Sequence, residues 1–347
     1  GHLPVWLATN HLVGEGFWFW LIPIKYLTSF GLVFAQDRVD TEQVNTEEKL
    51  LTWLYHRFPM LRRELEGKEI IDFTFMRNYT HDCDRTISPD RWAMSGESGR
   101  FSDPLYSPGS DLISLYNTLI CDAILTESQA ELEQKLVLYE ALMKTVFHAF
   151  LPSYDEGYPP LGDQEAFSLK YGWELSIYFS FMVFPFMNGM FTDTSFLPGY
   201  FRRFSSLGKI NRTVQGYIAE FFEWKKGRFD LPAKPVNFDF TWFEALKRAE
   251  KCFYLIGSDA AAVHAELDRQ LDSLQEFALW IISHIDSVVL NDPGLLTRAD
   301  YHAGIDISDR RFDPQAMRLQ ATDSAGDGMA EWSFEPGGFR QTFHPEA

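Results

Sequence analysis

Apolar positions change period several times along the chain, and each change marks an element. Residues 17–24 and 29–35 are short runs of aromatic and branched side chains, and they predict an antiparallel strand pair with Lys25 as a solvated charge in its turn. Residues 3–9 predict a shorter strand before them, and residues 11–16 a turn on Gly14 and Gly16. From Thr46, a Ser/Thr-type cap followed by Glu47 and Glu48 opens an amphipathic helix that should reach about Leu65. Residues 70–79 alternate and predict another strand. Leu132, Leu136, Leu138, Leu142, Met143 and Val146 place a helix over residues 127–151, before a loop rich in Pro, Gly and Asp at 152–163. Residues 211–228 and 240–290 predict further helices, the second broken near Gly257-Ser258-Asp259. Residues 294–347 are polar and without a clear period, as in a surface-wrapping or partly disordered tail.

One stretch organises the rest. Arg91-Trp92-Ala93-Met94-Ser95 reads as a buried strand ended by Gly96 and Gly99. Asp103-Pro104 restricts the loop that follows, because a residue before proline is pushed out of the helical region. Ser107-Pro108 has the form of an N-cap with proline at the first helical position, and Leu112, Leu115, Tyr116 and Leu119 continue at helical spacing. A Gly- and Pro-rich loop feeding a helix start can hold an anion or an electron-rich ring edge, because free N–H groups and the helix dipole both point there. On spacing alone it is equally an ordinary strand-loop-helix connection.

Residues 175–192 carry no charge, but Pro185, Asn188 and Gly189 interrupt them, and Glu174 and Asp193 flank them. They predict a buried helix pair lining a cavity rather than a membrane span. Composition adds limits. The 347 residues suffice for one large or two smaller domains. A net charge of −18 argues against nucleic acid and against an anionic membrane surface. Three scattered cysteines, Cys83, Cys121 and Cys252, form neither a disulfide framework nor a zinc pattern, which suits a reducing cytoplasm. His81-Asp82-Cys83-Asp84 lacks metal-ligand spacing, so no metal is expected.

Trp18-Phe19-Trp20-Leu21-Ile22-Pro23 is a W-x-W-x-I-P, followed by Thr28-Ser29-Phe30-Gly31-Leu32-Val33. With the Asp103-Pro104-Leu105-Tyr106-Ser107-Pro108-Gly109 loop, this order of motifs resembles the flavin-dependent halogenases, usually described as tryptophan halogenases. The resemblance covers roughly residues 8–130 well and the remainder loosely. It implies an α+β fold similar to the two-domain flavin monooxygenases (FAD/NAD(P)-binding), with a mixed sheet and a large helical C-terminal region. It divides the chain into a substrate-side sheet over 1–85, part of the flavin-binding domain over 86–128 and a helical cap over 129–347. Glu97 would meet ribityl hydroxyls, with Gly96 and Gly99 allowing close approach. Asp103, Pro104, Pro108, Gly109 and Ser110 would lie along the flavin ring or at a bound halide. Trp18, Trp20, Ile22 and Pro23 would flank the tunnel between flavin and substrate, with Tyr106 and Ser107 at the reacting end. The activity implied is halogenation of an electron-rich aromatic, a small molecule or carrier-bound, using FAD reduced by a separate flavin reductase, O₂ and chloride or bromide.

The chain departs from that pattern at three places. Tyr106 stands where tryptophan-type enzymes place a carboxylate ascribed to chlorination, which is more like the branch acting on phenols, pyrroles or carrier-bound substrates. Pro108 removes one backbone donor expected at halide. No G-x-G-x-x-G opens a βαβ unit, and Gly14-Glu15-Gly16 precedes a strand instead. The sequence therefore reads as the C-terminal two-thirds of a halogenase, N-terminally truncated, with exposed strand edges and weak or no FAD binding by itself. A flavin monooxygenase or dehydrogenase without halide use, and a non-catalytic binding module, remain as alternatives.

Overall fold

Local chemistry sets most element ends in the computed structural model, which describes residues 7–228, 236, 239–324, 326, 328–334 and 337–344. The chain opens with an antiparallel meander, β1 (Asn10–Gly14), β2 (Phe17–Ile24) and β3 (Leu27–Phe34). The two-residue turn Glu15-Gly16 joins the first pair, with Gly16 at φ 76°, so most of the expected turn is strand. The strand predicted over 3–9 lies largely outside the described residues. Lys25-Tyr26 forms the second turn, as expected.

Thr46 caps α1 (Glu47–Arg57), its hydroxyl accepting from the Lys49 N–H. The predicted single helix is two, because Pro59 cannot continue α1 and instead starts α2 (Pro59–Leu65). Residues 70–79 form no ladder despite their alternation, since no second strand lies beside them among the described residues. The expected strand at 91–95 shrinks to β5 (Trp92–Ala93), paired only with β4 (Ile87–Ser88) and exposed rather than buried. Both sheets are antiparallel, where a mixed sheet was expected.

Helices make up the remainder: α3 (Pro108–Leu125), α4 (Gln129–Asp155), α5 (Gln164–Ile177), α6 (Phe184–Met187), α7 (Leu197–Lys225), α8 (Glu244–Cys252), α9 (Ala260–Val289), α10 (Ala299–Ala303), α11 (Pro314–Asp323) and α12 (Gly337–Phe343). The expected pair over the uncharged run is one helix, since a π-helical stretch at Tyr178–Val183 links α5 to α6. Pro185 offers no N–H there, and the widened turn accommodates it. Among the described residues no helix is long and apolar enough to cross a membrane.

The main core joins α3, α4, α5, α7 and α9 through side chains such as Leu115, Tyr139, Trp173, Ile218 and Phe277. The C-terminal segment docks on it. Asp286 on α9 is fully buried and accepts from Tyr217, from Tyr301 at 2.6 Å and from Arg310 at 3.0 Å. Burial raises the Asp286 carboxyl, and Arg310 and the two phenols oppose that shift.

Candidate functional site

The period-2 alternation of β2 sends its aromatic residues to opposite faces. Phe17 and Phe19 pack with Val39, Val44, Leu50, Trp53, Leu54 and Leu61. Trp18 and Trp20 meet the loop at Leu105 and Tyr106, together with Tyr158, Leu161 and Tyr79. The two halves of the sequence motif, some eighty positions apart, therefore share one aromatic cluster. Trp20 lies across Gly31, its partner on β3, where any Cβ would overlap the indole. Its Nε1 donates to Ser29 Oγ at 3.2 Å, and the Trp18 and Trp20 rings sit 5.6 Å apart.

Asp103 anchors this cluster. The Trp18 indole N–H donates to the Tyr158 hydroxyl at 3.0 Å, and Tyr158 donates to Asp103. Tyr79 donates to the same carboxylate at 3.2 Å and the Leu105 N–H at 2.8 Å. Burial raises the Asp103 carboxyl, and these donors pull against it. Burial and then the Asp103 charge push the Tyr79 and Tyr158 phenols up, so both stay protonated as donors.

The loop turns sharply after Leu105. Tyr106 and Ser107 both sit in the left-handed region, at φ 67° and 58°. Pro108 begins α3 as expected, but the Ser107 side chain makes no cap hydrogen bond. Being before proline disfavours the right-handed region for Ser107, and its N–H is held by the Pro104 carbonyl at 2.9 Å. The turn aims Tyr106 inward, 5.5 Å from the Tyr171 ring and 5.5 Å below Lys170 Nζ. Non-glycine residues pay about 1–2 kcal/mol for this conformation. Ser107→Gly is therefore expected to stabilise the protein by about 1 kcal/mol in urea unfolding, and a loss of stability would show that the serine side chain has a role beyond the turn.

Behind Tyr106 lies a polar cluster inside the helices. Lys170 is fully buried and meets both Glu174 oxygens at 2.6 Å, while Gln215 donates to Glu174 at 2.8 Å. The Tyr106 hydroxyl is buried without a hydrogen-bond partner, and burial first, then the Glu174 charge, pushes it well up. The start of α3 is covered. Gly96, at φ 58°, packs on Ile113, and the next residue brings the Glu97 carboxylate over Gly109, where a Cβ would overlap it. Burial raises Glu97, and His81 opposes this. Among the described residues its carboxylate makes no protein hydrogen bond.

Gly99 is buried against Met94 and Cys83. Arg100, also buried, holds Asp82 at 2.7 Å, Glu140 at 3.0 Å, the Cys83 carbonyl and Thr86. This fixes the segment that carries Glu97. Pro104 is partly buried and Ser110 exposed, whereas Ile22 and Pro23 lie toward the outer end of the hairpin, with Ile22 38% exposed. Tyr79, Tyr158, Lys170, Glu174 and Gln215 escape sequence reasoning. Lys170 and Glu174 are legible as an i,i+4 pair, but such pairs normally face solvent, and only the apolar residues around them hint at burial.

No family model matches the chain. In sequence it is similar to the flavin-dependent halogenase chlA of Dictyostelium discoideum, with 23% identity over 181 residues. That match takes in 50% of this chain, which spans about 30% of the length of the curated relative. The chain is thus halogenase-like at a distance.

Proposed function

We propose that this chain forms the substrate-facing part of a flavin-dependent, halogenase-like oxidoreductase acting on an electron-rich aromatic. The observation that carries the reading is the link from Trp18 through Tyr158 to Asp103, which ties the tryptophan hairpin to the loop at the start of α3. In this reading residues 1–85 supply the substrate-side sheet, 86–128 the flavin-facing piece and 129–347 the helical cover. The ring end of FAD would then lie at the start of α3, with the Glu97 carboxylate turned from Gly109 toward the cofactor. The N–H groups of Gly109 and Ser110 at the start of α3 would take the pyrimidine edge, and Glu97, whose carboxylate has no protein donor, would take ribityl hydroxyls. The nucleotide end has no glycine fingerprint in this sequence. When bound, reduced FAD supplies the oxidising chemistry with O₂, after reduction by a separate flavin reductase.

The chain's own groups then have distinct roles. Trp18 and Trp20 keep bulk water and substrate away from the loop. Asp103, through Tyr79 and Tyr158, holds the loop's entry rigid. Tyr106, which stays protonated beside Glu174, would wall off the inner side of the loop from the Lys170–Glu174 pair. A second reading, oxygenation without halide, draws on Pro108, which offers no N–H at the place where halide would sit.

Two measurements separate these readings. Titration with FAD is expected to give no saturable binding at micromolar concentration, and tight stoichiometric binding would refute the absence of a nucleotide cradle. Incubation with millimolar reduced FAD, above the range in which no binding is expected, together with O₂, bromide and a panel of phenols and pyrroles, is expected to give a product with the bromide mass pattern. A hydroxylated product formed without halide supports the second reading, and no product at that concentration favours a binding module.

A further inference from the structure

The C-terminal helix covers a face of α9 that is short of hydrogen-bond partners. Phe339 on α12 stands edge-on to Trp280 at 5.5 Å and to His284 at 4.9 Å, and those two rings stack on each other at 5.3 Å. The next residue, Arg340, is buried and donates from Nη1 to Ser287 Oγ at 2.8 Å. Among the described residues that neutral hydroxyl is its only side-chain partner, and no carboxylate is in ion-pair contact with its guanidinium. Its Nε is buried and unpartnered, as are Trp280 Nε1, Ser283 Oγ and His284 Nδ1. Positions 280, 283, 284 and 287 recur at the three- and four-residue spacing of one helix face. Leaving such groups dry costs the full desolvation of each, and a buried guanidinium without a counter-charge costs more.

We propose that this face is a binding site for a small monovalent anion, seated on Arg340 Nε, Trp280 Nε1 and Ser283 Oγ with His284 Nδ1 beside them. The site shares no residue with the Trp18–Asp103 network and does not depend on the flavin reading. Its surroundings make binding sensitive to pH. His284 Nε2 faces Glu165 Oε1 on α5 at 2.7 Å, and His344 Nε2 reaches the same oxygen at 2.9 Å. Lys225 on α7 pairs with Glu165 Oε2 at 2.7 Å and with Asp163 at 2.8 Å. Asp292, whose charge also acts on Arg340, is paired with Arg298 at 3.2 Å. Glu165 and Asp163 therefore balance Lys225 and Arg340 while His284 is neutral. Burial lowers the His284 imidazole, Glu165 pulls it up, and His344 and Arg340 push it down again. An anion beside Nδ1 shifts that balance toward the imidazolium, so an anion and a proton enter together, and binding tightens as pH falls.

The test is the melting temperature against sodium chloride, bromide or formate, with ionic strength held by sodium gluconate. A saturable rise is expected, with a half-saturating concentration several-fold lower at pH 6 than at pH 7.5. Saturation by chloride and bromide alone identifies a halide site, and saturation by formate as well identifies one that takes small carboxylates. Arg340→Met should abolish the response, Trp280→Phe should weaken it several-fold, and Ser107→Gly should leave it intact. If Arg340→Met does not fold, Trp280→Phe and the pH dependence carry the test. A rise linear in salt, unchanged by Trp280→Phe or by pH, overturns the proposal and leaves buried water on these groups.

Discussion

Asp103→Ala is expected to cost about 3–5 kcal/mol of stability, the sum of one buried phenol, one half-buried phenol and one backbone N–H losing their common acceptor. Tyr79, Tyr158 and the Leu105 N–H all converge on this carboxylate, and Trp18 depends on it through Tyr158. Water cannot easily replace it, because Asp103, Leu105 and Tyr158 are all buried. Asp103→Asn keeps the shape and one acceptor oxygen and should cost only about 1 kcal/mol. Urea unfolding of the two variants measures the contrast. Equal, small losses would mean that the four groups do not act as one network. The loss should also be visible as a change in tryptophan emission, since the Trp18 N–H then loses a fixed partner.

Arg100→Met should be as damaging, at about 3–5 kcal/mol, for an electrostatic reason. A methionine fills much of the same volume, so packing is not the main loss. Arg100 is fully buried and neutralises Glu140, which also accepts from the Thr86 and Ile87 N–H groups at 2.7 and 3.0 Å. Removing the guanidinium leaves that half-buried carboxylate beside Asp82 without its cation, and a desolvated charge without its partner is destabilising. Arg100→Met with Glu140→Gln should recover part of the loss, because the uncompensated charge is gone. Failure of the double variant to recover anything would shift the explanation to the lost contacts with Asp82, Thr86 and the Cys83 carbonyl. Either way the segment carrying Glu97 loses its fixed position over Gly109.

These two residues show how far the linear pattern reaches. The hairpin, the start of α3 at Pro108, the Thr46 cap and the break before α9 follow from turn chemistry, proline geometry and helical period, all local. Local signals also misled. Residues 70–79 alternate as a strand does, yet a strand needs a neighbour, and alternation carries no information about one. Ser107 has the composition of a cap, but its left-handed backbone directs it elsewhere. The charge of Arg100 and the i,i+4 pair Lys170 and Glu174 suggest solvent, and all three were placed by contacts dozens of residues away.

By itself the sequence determined the N-terminal hairpin, most of the long helices, the order of the two motifs and a likeness to flavin-dependent halogenases, because each depends on residue types within a few positions of one another. Only the tertiary structure decided that Trp18 and Asp103 share a hydrogen-bonded chain, that Glu97 sits over the start of α3 and that Arg340 is buried with no carboxylate paired to it among the described residues. Burial and pairing are properties of what the rest of the chain brings alongside, and the energy of a charge or a phenol depends on that company far more than on its neighbours in sequence.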